Sequence, residues 1–303
     1  MTSLTPASRS ARARNAFTSA PALLIASLSA VAALQTDAQA ASDEISLKFD
    51  VYSGNIRLFN IALGMQVGGP RYQVNASIKS KGLVSLVAKT RISLNAKGKT
   101  AGTKLRPSAF ASRTKSKGRK RNISVGWDKK LYPTAKRNYD LSKEKQNALA
   151  KVVKPGMVDP LSHMVRRITN PGGGKPCTGT ERVYDGKVVG EYRYRLLTET
   201  KFGANAGGAY HGKALKCELR YRAIAGLSAA KLAKQAKQKP VFTIWYAPVA
   251  GNSGQLYVPV AADGKLSGRA FAMRLTSGSV SGKSLATRRA VAVKRNPDLE
   301  VDK

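Results

Sequence analysis

Apolar and polar residues alternate along most of the chain, which is the pattern of strands with one buried face. In residues 44–52 (EISLKFDVY) apolar side chains occupy every second position. Similar segments, separated by short glycine-containing turns, predict strands at 56–67, 72–81, 84–95, 105–115, 119–127, 181–184, 187–198, 215–224, 241–246, 255–260 and 265–275. Residues 97–103 are rich in Lys and Gly and predict a loop. The fold class is therefore all-β, a large antiparallel barrel-like or curved sheet.

One segment breaks the alternation and predicts a small helical insert at about residues 142–168. Residues 142–153 have a helical composition, and Ser142 stands where an N-cap belongs. Asp159 followed by Pro160 predicts a second short helix. Residues 227–238 fit either a helix or a loop. We expect a single β domain over residues 41–285 and a basic, disordered tail at residues 286–303.

The first 40 residues have the features of an export signal. Arg9, Arg12 and Arg14 form a basic start, and an apolar stretch rich in Ala and Leu follows. Ala38-Gln39-Ala40 then provides the small residues that signal peptidase requires. The apolar stretch is short and interrupted by Ser, which favours cleavage over a membrane anchor. We expect residues 1–40 to be a cleaved signal peptide and the mature protein to be periplasmic.

Export changes the interpretation of the two cysteines, Cys177 and Cys217. Both lie in the mature part of the chain, and their number is even. In an oxidising compartment this predicts a disulfide bond, which would close a loop of about 40 residues. A redox-active pair is the alternative, but such pairs are usually two residues apart in Cys-x-x-Cys.

The charge is strongly basic and unevenly distributed. The chain has 53 Lys and Arg against 17 Asp and Glu, a formal net charge of +36. Residues 51–127 contain 16 Lys and Arg and no Asp or Glu. Many basic residues stand two positions apart, a spacing that puts strand side chains on one face. The predicted anion-binding face consists of Lys79, Lys81, Lys89, Arg91, Arg113, Lys115, Lys117, Arg119 and Arg121.

Two interpretations of this basic face stay open. It is either a solvated outer face that keeps the protein soluble, or a surface that binds polyanions. A hydrophobic content of 42% excludes a disordered polycation. Nucleic acid suits the charge, but an exported protein meets little of it. The expected partners are lipopolysaccharide, anionic phospholipid head groups or peptidoglycan, with peripheral membrane contact.

Candidate catalytic groups are few. Two Cys and two His cannot build a standard zinc site without carboxylates, nor a four-Cys iron–sulfur site. Residues 172–176 (GGGKP) resemble a phosphate-binding loop but lack its spacing and its Ser or Thr. Asp159 and His163 are four residues apart, which fits a catalytic dyad or, more simply, a helix cap beside a buried histidine. We expect no cofactor, no metal site and no enzymatic activity.

An ordered set of short motifs then suggests a family. The motifs are Phe49-Asp50-Val51-Tyr52-Ser53-Gly54, Arg106-Pro107-Ser108-Ala109-Phe110, Asp159-Pro160-Leu161-Ser162, Val183-Tyr184-Asp185-Gly186-Lys187, Cys217, Ile244-Trp245-Tyr246 and Val258-Pro259-Val260. Over about residues 45–275 the chain resembles the exported proteobacterial family called domain of unknown function 3108. The resemblance implies an antiparallel, barrel-like periplasmic protein, and it implies no catalytic residues.

The sequence as a whole predicts a non-enzymatic, monomeric protein of the cell envelope that binds an anionic component through its basic face. One alternative is a carrier that holds a lipid or another apolar ligand inside the barrel, because barrels of this strand number can enclose a cavity. A second alternative is a hydrolase that uses His163 and Asp159.

Overall fold

The computed structural model describes residues 41–82, 85, 89–170, 173, 176–203, 207–266 and 269–287. The predicted signal peptide lies outside these residues, and so does the predicted tail apart from Ala286 and Thr287. No helix in the described part is both long and apolar enough to cross a bilayer.

The alternating pattern folds as strands with one buried face. In the first strand Ile45, Leu47 and Phe49 are buried, whereas Ser46 and Lys48 between them are exposed. The strands are β1 (Asp43–Ser53), β2 (Ile56–Val67), β3 (Arg71–Ser80), β4 (Thr90–Ala101), β5 (Lys104–Ser116), β6 (Arg119–Trp127), β7 (Pro133–Arg137), β8 (Thr180–Tyr184), β9 (Val189–Phe202), β10 (Gly212–Ala225), β11 (Val241–Gly251), β12 (Gly254–Leu266), β13 (Arg269–Val280) and β14 (Lys283–Ser284). Helices are α1 (Lys143–Val152), α2 (Pro160–Thr169) and α3 (Ala229–Gln238).

These strands form one antiparallel sheet that curves into a nearly closed barrel. Its order is β7-β6-β5-β4-β3-β2-β1-β13-β12-β11-β10-β9-β8, with β14 paired to β13. The pairing of β1 with β13 joins the two ends of the domain. The sheet edges β7 and β8 approach each other, since Arg137 Nη2 of β7 donates to the Tyr184 hydroxyl of β8 at 2.9 Å. The predicted fold class is confirmed.

Helix α2 lies inside this barrel. It packs against β3, β4 and β5 on one wall and against β12 on the opposite wall. Leu161, Val165 and Ile168 are buried on it and belong to the main hydrophobic core. The predicted helical insert is thus two helices, α1 and α2, and residues 227–238 are mostly the helix α3.

The predicted loop at residues 97–103 is wrong, because most of it belongs to β4. Lys97 and Lys99 are exposed and alternate with the buried Ala96 and Gly98. Small residues fill the buried positions here, because the Tyr72 ring lies against Gly98 and occupies the space that a larger side chain would need. The turn itself comes later and contains Gly102, at φ 55°.

Candidate functional site

Four exposed basic residues line up across four neighbouring strands. Lys79 on β3 is the register partner of Arg91 on β4. Arg91 is in turn the partner of Lys115 on β5, and Lys115 that of Lys120 on β6. All four side chains are exposed on the outer face of the barrel. We call Lys79, Arg91, Lys115 and Lys120 the basic row.

The predicted single basic face is only partly correct. Arg113 shares the outer face with the basic row, two residues before Lys115 on β5, where it faces Asn122 of β6. Arg119 and Arg121 lie on the opposite face, because the hairpin turn at Lys117 and Gly118 pairs Arg119 with Ser116. Lys117 is therefore in the turn itself, and Lys81 and Lys89 are exposed at the two ends of the β3–β4 connection.

Lys120 belongs to the basic row but was not part of the predicted face. Residues two apart share a face only along one continuous strand. Lys115 and Arg119 stand on opposite sides of a hairpin turn, so the two-residue spacing does not place Lys115, Lys117, Arg119 and Arg121 on one face. A two-residue hairpin turn fixes the register, and with Lys117 and Gly118 as its centre Lys115 faces Lys120. The hairpin turn at Lys117 and Gly118 was thus enough to predict that Lys120 lies beside Lys115.

Within the described part of the chain, no carboxylate pairs with a cation of the basic row. None of the ion pairs between described residues includes one of its four side chains. Like charges directly opposite each other on neighbouring strands destabilise a sheet. An anion bound along the row would relieve this repulsion, and all four cations would attract it at once.

Further along the same outer face the strands form a depression with polar, uncharged residues at its centre. Asn75 on β3, Asn95 on β4, Ala111 on β5 and Ser124 on β6 follow one another in register. They line a depression of about 780 Å³, which Lys97, Lys136 and Asp128 also border. Amide and hydroxyl groups here can donate and accept hydrogen bonds. The depression therefore suits the polar part of a ligand whose charges lie on the basic row.

A second polar cluster lies inside the barrel at the start of α2. The Asp159 carboxylate caps the helix and accepts hydrogen bonds from the backbone N–H groups of Leu161 and Ser162, both at 2.9 Å. The Ser162 hydroxyl contacts this carboxylate and, at 2.7 Å, the Tyr72 hydroxyl of β3. Asp159 thus ties α2 to the wall of the barrel, as expected of a cap.

His163 is buried one position further along α2. Its Nδ1 lies 2.6 Å from Glu181 Oε2 on β8, and its Nε2 lies 2.9 Å from the Tyr194 hydroxyl on β9. Arg166 and Arg167 also pair with Glu181. Burial lowers the pKa of His163, and the ring is therefore neutral at pH 7. Sequence reasoning missed Glu181 and Tyr194, which are remote from His163 in the chain.

The arrangement does not support the dyad of His163 and Asp159. Both ring nitrogens of His163 are engaged, by Glu181 and Tyr194, and the Asp159 oxygens are engaged at the helix cap. A nucleophile-activating pair needs a base free to accept a proton from a group that reaches substrate. Among the described residues no group of three or more His, Cys, Asp or Glu is placed to hold a metal ion.

The buried carboxyl of Asp159 predicts a pH-dependent stability. Burial raises its pKa from 3.8 to about 6, although hydrogen bonds from Ser162 and Leu161 act in the opposite direction. Between about pH 4 and pH 6 the folded state then holds a proton that the unfolded state has released. The unfolding free energy of the wild type, relative to Asp159→Asn, should fall by about 1.4 kcal/mol per pH unit as the pH rises through this window.

Chemical denaturation of both proteins at several pH values measures this difference. Asn keeps the cap, because its side-chain oxygen accepts the same N–H groups. A difference that stays constant from pH 4 to pH 6, or that grows with pH, would show that Asp159 is ionised throughout.

The disulfide between Cys177 and Cys217 is confirmed. It joins the segment before β8 to β10, with the two Cα atoms 5.5 Å apart. Both cysteines are fully buried and pack with Leu215 and Tyr246 in a small second core. The bond therefore fixes the strand that carries Glu181 to the wall formed by β9 and β10.

The chain has sequence similarity to a protein family and a distant structural similarity to a solved protein. No curated protein matches the chain. The crystal structure of a β-barrel-like protein of domain of unknown function DUF1849 from Brucella abortus aligns with 81% of this chain and 99% of its own, at 8% identity and a TM-score of 0.47. The model of the family described as protein of unknown function (DUF3108) matches residues 48–276. That match covers most of the barrel, and the chain belongs to the DUF3108 family.

Proposed function

We propose that this protein is a non-enzymatic, periplasmic component of the cell envelope that binds phosphate groups of anionic lipid. The lipid is either an anionic phospholipid or the phosphorylated part of lipopolysaccharide, and the protein contacts it through the basic row. The observation that carries the proposal is the register of Lys79, Arg91, Lys115 and Lys120 on one exposed face.

The dimensions of the row support this choice. Neighbouring strands are about 4.8 Å apart, and four of them therefore carry the cations over about 14 Å. The four cations stand side by side on the sheet and do not converge on one point. This arrangement matches a lipid surface, on which phosphate groups also lie side by side. Lys and Arg near an anionic lipid surface contribute about 1 kcal/mol each.

The interior of the barrel is a less favourable place for a ligand. Helix α2 packs against opposite walls and its core-facing side chains are buried. This favours binding on the outer surface over the carrier alternative, in which an apolar ligand occupies the interior. The hydrolase alternative has no support in the contacts of His163, since both of its ring nitrogens are engaged.

Neutralising the basic row should abolish most of the binding to anionic vesicles. In the variant Lys79→Gln/Arg91→Gln/Lys115→Gln/Lys120→Gln, four contributions of about 1 kcal/mol are lost, which is about a thousandfold in affinity. Co-sedimentation with vesicles of phosphatidylglycerol and phosphatidylcholine measures the change at low salt. Vesicles of phosphatidylcholine alone should bind neither protein.

A matched control separates this surface from net charge. Lys201→Gln/Lys213→Gln/Lys234→Gln/Lys237→Gln removes four exposed cations from β9, β10 and α3. It should keep most of the wild-type affinity. If both variants lose the same amount of affinity for vesicles, net charge and not the basic row determines binding. If the wild type binds peptidoglycan but not vesicles, the partner groups are carboxylates and not phosphates.

A further inference from the structure

A second basic site lies at the end of the barrel, apart from the basic row. Four chain segments meet there around a cavity of about 230 Å³. Each segment contributes one cation, namely Arg121 of β6, Lys145 of α1, Lys187 of the β8–β9 turn and Lys231 of α3. We call this cavity the end pocket. Unlike the cations of the basic row, these four surround a single small volume.

The charges of the end pocket are poorly compensated. One carboxylate, Asp140, borders the cavity, which leaves an excess of three positive charges. Among the ion pairs of the described residues, none includes Arg121, Lys145, Lys187 or Lys231. The carboxylate of the β8–β9 turn, Asp185, accepts from the backbone N–H groups of Lys187 and Val188, at 2.8 and 2.6 Å.

The pocket is also ordered in advance of binding. The guanidinium of Arg121 lies over the ring of Tyr139, 5.3 Å from its centre, which restricts the arginine to one side of the cavity. Lys145 and Lys187 are half-buried, and their side chains therefore have fewer conformations available than those of fully exposed lysines. Side chains that are already restricted lose less conformational entropy when they bind an anion.

We propose that the end pocket binds a phosphoryl group, either as free pyrophosphate or as the phosphate end of a lipid. A volume of about 230 Å³ is that of about eight water molecules, which is enough for one or two phosphoryl groups but not for an oligosaccharide. Four cations that converge from four segments fit an anion with several charges and with oxygens pointing in several directions. Phosphoryl groups carry several charges, and their oxygens point in several directions. A carboxylate has a single charge and two oxygens in one plane.

Calorimetric titration with pyrophosphate tests the end pocket directly. The wild type should bind one equivalent saturably, and at least tenfold more tightly than it binds succinate. Lys145→Gln/Lys231→Gln should weaken pyrophosphate binding at least tenfold, whereas the control Lys129→Gln/Lys130→Gln, which removes two exposed lysines elsewhere, should leave it unchanged. The single variant Lys231→Gln, at an exposed helical position, should show part of the loss if the double variant does not fold.

Equal weakening in the test and control variants would overturn the proposal, and so would equal affinities for succinate and pyrophosphate. A competition experiment then distinguishes the two sources of phosphate. If pyrophosphate displaces the Lys79→Gln/Arg91→Gln/Lys115→Gln/Lys120→Gln variant from phosphatidate vesicles, the pocket takes a lipid phosphate. If the vesicles leave pyrophosphate binding unaffected, the ligand is a free phosphate. The end pocket and the basic row are tested with different substitutions, so the proposal for one can be wrong while the proposal for the other holds.

Discussion

Replacing Arg274 with Met is expected to lower the free energy of unfolding by about 3–5 kcal/mol. Arg274 of β13 and Asp263 of β12 are only 3% and 7% exposed. Arg274 Nη2 lies 3.0 Å from Asp263 Oδ2, Nη1 contacts Oδ1, and Nη1 also donates to the carbonyl of Met273 at 3.0 Å. Removal of the arginine would leave the buried carboxylate of Asp263 without its cation.

Two further variants identify the cause of this loss. Arg195→Met makes the same chemical change at a side chain that is 64% exposed and pairs with Glu218, so it should cost less than about 1 kcal/mol. Asp263→Leu combined with Arg274→Met removes both buried charges and should recover much of the stability. If Arg274→Met and Arg195→Met have similar effects in urea denaturation, the burial of the ion pair is not the cause of the loss.

Removing the disulfide is expected to have a comparably large effect. Cys177→Ser/Cys217→Ser opens a loop with a sequence separation of 40 residues. The added entropy of the unfolded chain corresponds to about 4 kcal/mol of lost stability. Both sulfur atoms are also buried in the second core, so the serine hydroxyls would be placed among Leu215 and Tyr246.

The wild type under reducing conditions is the matched comparison for this variant. Reduction breaks the same bond without introducing serine, and it should therefore account for most of the loss measured with the double variant. Denaturation curves that superimpose in the presence and absence of reductant would contradict a stabilising role of the bond.

Local alternation was enough to find most strands, but not to arrange them. The bounds of β2 and β6 coincide with the predicted ones, because turn residues flank a clear two-residue period. The pairing of β1 with β13 brings together segments more than 200 residues apart, for example Ile45 and Val280. A period of two says which side chains share a face, and it contains no information about which distant strand is the neighbour.

The polar cluster around Asp159 and His163 also shows that the sequence predicts local features but not distant contacts. Asp159 and Pro160 correctly predicted the start of α2, since capping depends on neighbouring residues. The placement of this helix inside the barrel depends on contacts with β3, β4, β5 and β12. For that reason Glu181 and Tyr194, the partners of His163, had no signal in the sequence around it.

Chemical footprinting of the lysines is the most direct test of the proposed lipid-binding surface. The wild-type protein is treated with an acetylating reagent with and without phosphatidylglycerol vesicles, and mass spectrometry gives the acetylation rate at each lysine. Lys79, Lys115 and Lys120 should become several-fold slower to react when vesicles are present, whereas Lys201 and Lys213 on β9 and β10 should be unchanged. Protection of Lys201 and Lys213, with Lys79, Lys115 and Lys120 still fully reactive, would contradict the account.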